Sequence, residues 1–186
     1  MTAAVALAGL AGDGCSDKAM PGTPLGTFNV TASVSTNTCG AGPNAPNPWT
    51  FQVDLSVDGS VLYWSWKDGS PYLSGVISSG VASFTDSQTG SDPADAAACT
   101  AANNGGDYWF GPSQTAASCT SSVGCTMTRS DAYEVTLAST QKSFTGTLSY
   151  TFSVVSGSNC SSQLSAAGGI YDVLPCTIAY SLSASQ

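Results

Sequence analysis

Few residue types in this sequence can do chemistry, and an absence narrows them first. There is no histidine among the 186 residues, so neither a Ser-His-Asp nor a Cys-His site can be assembled. Acidic groups remain as candidates for proton transfer. Two carboxylates flanking a bond would carry out glycosidase-type hydrolysis, and Asp131 and Glu134 are the closest acids within one strand-turn unit. Three positions apart on a strand, they point to opposite faces, so this pair diverges; a pair drawn from distant segments stays open. Asp86, Asp92 and Asp95 offer oxygen ligands for calcium, but they lack the compact Asp-x-Asp-x-Asp-Gly spacing and read as solvated loop acids. Asp54 is expected to face outward, and Asp58 and Asp68 to serve turns. No metal site and no cofactor is predicted.

Cysteine is the other reactive type. Seven are present, at positions 15, 39, 99, 119, 125, 160 and 176. None of the spacings gives the close pairs, two to four residues apart, that zinc sites use, which favours disulfides. The odd count singles out one cysteine. Cys15 follows the apolar run at positions 4–11 and precedes Ser16-Asp17-Lys18, where polarity begins. This arrangement resembles the end of a bacterial lipoprotein signal peptide, which implies acylation of Cys15; an ordinary secretory signal or a free thiol is the alternative. The other six would form three bridges. Closing the shorter loops first predicts Cys160–Cys176, Cys99–Cys119 and Cys39–Cys125, one choice among 15 connectivities.

Aromatic residues supply the binding candidates. Trp64 and Trp66 lie in phase on an apolar strand face, where filling the core is the ordinary role. Asp107, Tyr108, Trp109 and Phe110 differ, because they follow Asn103-Asn104-Gly105-Gly106 in a stretch without periodicity. These four residues are the predicted ligand contact, for sugar, lipid or protein; plugging one end of the fold is the competing role.

The elements that must position these residues are nearly all strands. Alternation marks residues 28–34, and residues 39–48, with three prolines, form a loop. Residues 49–57 and 60–66 alternate on either side of Asp58-Gly59. With that dipeptide as the turn, Leu55 pairs with Leu62, Val53 with Trp64 and Phe51 with Trp66. Those side chains are expected to be buried, and Gln52 and Asp54 exposed. Turns at Asp68-Gly69 and Ser79-Gly80 set Leu73 against Trp64 and bring Gly75, Ile77, Ala82 and Phe84 to the same face. Periodicity fails from 86 to 124, a length of loop that calls for a function or a staple. It resumes at 125–128 and 133–137. Residues 144–154 form a regular strand with Phe144, Leu148, Tyr150 and Phe152 on one face, and residues 173–182 a last one.

About nine strands without a helix predict an all-β fold: an antiparallel meander closed as a barrel, with a β-sandwich as the alternative. The layout resembles that of lipocalins and avidins, without a signature motif of either. Composition agrees with export. Only 9% of residues are charged, and 4 basic against 12 acidic residues give a net charge of −8, which disfavours a nucleic-acid partner. The expected organisation is an export signal remnant at 1–14, a lipidated tether at 15–25 and one β domain at 26–186. The whole resembles small uncharacterised lipoproteins of bacterial envelopes. That resemblance implies an outer-membrane or cell-surface location, a membrane contact through the lipid, and an envelope polymer or protein as partner. A non-catalytic binding or structural domain is the leading expectation, and a carboxylate-dependent hydrolase the rival.

Overall fold

The computed structural model describes residues 19–67, 71–92 and 124–186. Eight strands form one closed antiparallel barrel: β1 (Thr23–Asn37), β2 (Trp49–Asp58), β3 (Val61–Trp66), β4 (Leu73–Ser78), β5 (Val81–Asp92), β6 (Cys125–Leu137), β7 (Ser143–Val154) and β8 (Cys176–Ser185). Each pairs with the next in sequence, and β1 closes the ring by pairing with β8. Closure resolves the problem that a one-sided meander poses, since it covers the apolar face and leaves no open edge. The inward positions follow the two-residue period. In β8, Cys176, Ile178, Tyr180, Leu182 and Ala184 are buried. Trp64 fills the centre, with ring centroids of Phe144, Tyr133 and Trp66 5.7, 5.8 and 5.6 Å away.

The expected count of about nine strands differs from eight because 125–128 and 133–137 are one strand. β6 runs unbroken through Arg129, Ser130, Asp131 and Ala132, with β5 on one side and β7 on the other in constant register. β5 also runs to Asp92, six residues beyond the expected loss of periodicity at Asp86. β1 starts at Thr23, inside the stretch read as tether, and the Pro21 carbonyl accepts a 2.6 Å hydrogen bond from the Ser56 hydroxyl. Residues 1–18, with Cys15, lie outside the described residues, as do the expected turn residues Asp68 and Gly69, and Asp95, Cys99, Asp107, Tyr108, Trp109, Phe110 and Cys119.

The hairpin register needs correction. Gly59 and Ser60 are the two turn residues and Asp58 pairs with Val61, so Leu55 faces Trp64 and Val53 faces Trp66. Gly59 has φ +57°, which suits glycine at the first central position of a type II′ loop and leaves Asp58 in the ladder. The shift is two residues, so every side chain keeps its face. Val53, Leu55 and Trp64 are buried; Phe51 and Trp66 are half-buried, Gln52 is exposed, and Asp54 is half-buried beside Lys67, 2.6 Å away. The other expected pairs hold: Trp64 faces Leu73 and Ile77 faces Ala82.

The two ends of the barrel differ. At one end the connections are tight: Gly59-Ser60, Ser79-Gly80 and residues 138–142. At the other, longer segments join β1 to β2, β3 to β4, β5 to β6 and β7 to β8. Both described disulfides sit at this second end, Cys39–Cys176 and Cys125–Cys160, which overturns the expected Cys160–Cys176 and Cys39–Cys125. The physical reason is closure. The β1–β8 register places Asn37 opposite Ile178, and two residues further the same register places Cys39 opposite Cys176, although 137 positions separate them in sequence. Ranking pairs by loop length ignores that the first and last strands of a barrel are neighbours. Disulfides accord with an exported, oxidising compartment.

Candidate binding site at the open end of the barrel

Along β6 the inward-facing series is Cys125, Met127, Arg129, Asp131, Tyr133 and Val135. Two charged residues thus occupy interior positions of an otherwise apolar face. Arg129 is the only arginine in the chain. Its Nε and Nη2 donate to the two carboxylate oxygens of Asp131, both at 2.8 Å, a bidentate pair between residues two apart on one strand. The Asp131 side chain is 4% exposed and that of Arg129 is 26%, so the carboxylate lies behind and the guanidinium forms part of a cavity wall. The guanidinium carbon also stands 5.0 Å from the centroid of the Tyr150 ring, a cation–π contact.

β5 brings a second carboxylate to the same face. Asp86 is the cross-strand partner of Asp131, and it continues the inward phase of the buried Ala82 and Phe84. Its Oδ1 accepts from the Ser87 amide at 2.8 Å. Burial raises the pKa of Asp131, Arg129 pulls it back, and the charge of Asp86 adds to the rise, leaving it above the usual carboxylate value. Burial acts to lower the Arg129 value, and the hydrogen bonds and charge of Asp131 more than offset it. The guanidinium is therefore a fixed cation. Burial also raises the pKa values of Tyr133, Tyr150, Tyr171 and Tyr180, so all four present neutral phenols near neutral pH.

Above the ion pair the barrel opens into a cavity of about 660 Å³. Pro43, Asn44 and Pro46 of the β1–β2 loop form its rim. Trp49, Tyr150, Phe152, Tyr171, Ile178 and Tyr180 form its walls with Arg129. The rings brace one another: Trp49 stands 5.7 Å from Tyr180 and is stacked 5.9 Å from Trp66, and Phe152 lies 5.4 Å from Tyr171. The disulfides anchor this end. Cys39 ties the β1–β2 loop to the start of β8, and Cys160 ties the β7–β8 loop to the start of β6. The volume and the mix of aromatic walls with a few polar groups match small-molecule sites in barrel mouths.

Sequence reasoning missed this site. Asp131 and Glu134 diverge as expected, Asp131 buried and Glu134 exposed on alternate faces of β6. The signal that would have found it is phase. Arg129 and Asp131 share the parity of Met127, Tyr133 and Val135, so extending the alternation through them puts both charges inside. Asp86 is likewise an interior strand residue rather than a loop acid. Among the described residues, no three of the Asp, Glu and Cys side chains gather as a metal site. The predicted contact residues 107–110 lie outside the described residues. No known family model, curated protein or solved structure matches this chain.

Proposed function

We propose that this chain is a non-catalytic binding domain of an exported, lipid-anchored envelope protein, and that it takes a small ligand into the open end of its barrel. The observation that carries the proposal is the cavity of about 660 Å³ walled by Trp49, Tyr150, Tyr171 and Tyr180, with Arg129 held in place by Asp131. A cavity of this size, with fixed polar groups in an aromatic wall, supports binding better than a purely structural role. The apolar run before Cys15 supports the anchor, and the disulfides support export. Native mass spectrometry of the protein purified from its source tests all three parts. The expected spectrum carries an acyl chain at Cys15 and a small molecule that is lost in Trp49→Ala. A spectrum with the bare polypeptide mass and no retained molecule contradicts the proposal.

The carboxylate hydrolase is the second reading, and Asp86 facing Asp131 across β5 and β6 favours it. A raised pKa on one of two facing acids is what a general acid needs. Against it, both oxygens of Asp131 are occupied by Arg129, which holds the carboxylate as an acceptor and keeps it from handing over a proton. Turnover of an envelope glycan that is lost in Asp131→Asn, with binding retained, would establish this reading in place of the first.

A further inference from the structure

The cavity wall carries information about what it binds, and this inference rests on the binding function proposed above. Tyr180 is 2% exposed and lines the cavity, yet its hydroxyl has no hydrogen-bond partner among the described residues, and the same is true of Tyr150. Neither hydroxyl is sealed off, since Trp64 Nε1 is the single described side-chain atom both buried and unpaired. Both residues line the cavity. A ligand that displaces water from the cavity without replacing its hydrogen bonds would leave both hydroxyls unpartnered, which is costly, so these two ask for a ligand that can hydrogen-bond. At the same time the wall is mostly ring faces, from Trp49, Tyr150, Phe152 and Tyr171, which ask for a ligand with apolar faces. Negative charge is disfavoured, because the guanidinium of Arg129 is already paired with Asp131 and the chain as a whole carries −8.

A molecule with apolar ring faces, hydroxyls around its edge and no negative charge satisfies all three demands. We infer that the ligand is a short neutral saccharide, its ring faces laid against Trp49 and Tyr150 and its hydroxyls bonded to Tyr150 and Tyr180. An acyl chain would leave both phenols unpaired, and an acidic glycan would meet a guanidinium that is already neutralised.

The test is calorimetric titration of the intact protein with a panel of neutral oligosaccharides, their acidic counterparts, a fatty acid and an apolar fluorescent dye. Neutral oligosaccharides are expected to bind and to perturb tryptophan emission. Tyr180→Phe should weaken that binding by about tenfold, the loss of roughly one hydrogen bond, with the melting temperature unchanged. Trp49→Ala should weaken it further. Binding of only the fatty acid or dye, displaced by Trp49→Ala, would overturn the saccharide assignment and leave the binding function standing. Binding of only acidic glycans would overturn it too, and would show that Arg129 is open to anions. Failure of every probe would overturn the saccharide assignment and the binding function together.

Discussion

Arg129 and Asp131 can be separated experimentally because their burial differs. Removing the cation in Arg129→Met leaves a carboxylate that is 4% exposed facing Asp86, and breaking a buried pair from one side costs about 3–5 kcal/mol. Urea unfolding should show that loss at neutral pH. The sign of its pH dependence follows from the carboxylate. With Arg129 gone the folded-state pKa of Asp131 rises further above the unfolded value, so the cost applies above that folded pKa and is relieved as pH falls through it. The gap between variant and wild type should narrow on acidification, and Asp131→Asn added to Arg129→Met should recover part of the loss at neutral pH. A gap independent of pH would mean that the pair is not what the interior depends on. Asp54 behaves in the opposite sense. Burial tends to raise its pKa, but Lys67 and Thr27 outweigh this and lower it, so its small contribution is lost as pH falls.

The tyrosines give a second check at the residue scale. Burial raises the pKa of Tyr133, Tyr150, Tyr171 and Tyr180 in the folded barrel. The folded state therefore holds these protons more tightly than the unfolded chain, and stability falls as pH climbs above the ordinary tyrosine value of about 10. In an alkaline titration their phenolate absorbance should appear together with loss of the β-sheet circular dichroism signal. Ionisation of all seven tyrosines with the barrel intact would contradict the burial described here.

At the scale of elements, legibility followed the strength of the local pattern. The hairpin at Ser79-Gly80 is legible because a two-residue loop between alternating runs leaves one good register, and the expected register of Leu73 against Trp64 is observed, although Asp68 and Gly69 lie outside the described residues. Asp58-Gly59-Ser60 contains two such loops, Asp-Gly and Gly-Ser, and binary pattern cannot choose between registers two apart. Gly59→Val should lower stability by about 1–2 kcal/mol, since a β-branched residue resists φ +57°. Strand β6 was misread for a different reason. Two charges in the inward phase look like the end of a strand when each residue is judged alone, and only their mutual bonding makes the continuation tolerable. Alternation places Trp64 inside and stops short of Arg129 and Asp131, because charge at interior positions breaks the local rule on which the pattern rests.

For the whole molecule, closure decides what the chain order conceals. Cys39 and Cys176 meet because β1 and β8 are neighbours, and a non-reducing peptide map should return Cys39–Cys176 and Cys125–Cys160. Bridges over 137 and 35 positions restrict the unfolded chain by about 5 and 4 kcal/mol in the chain-entropy model. Replacing Cys39 and Cys176 together by serine should therefore cost about 2–5 kcal/mol in urea unfolding and loosen the cavity end first. Unchanged stability would show that the barrel closes without help from its staples.

The proposed entry of a ligand at the open end of the barrel has a direct probe in the composition of the chain. As the only arginine, Arg129 gives a single Nε–H signal in a nitrogen–proton correlation spectrum, from the wall of the cavity. Adding a low-mass extract of the source envelope to the labelled protein should shift that signal, the Trp49 indole, and the amides of Tyr150 and Tyr180, and leave the outward-facing Thr147 and Ser181 unmoved. Shifts confined to Thr147, Ser181 and their outward neighbours, with the Arg129 signal fixed, would contradict the account.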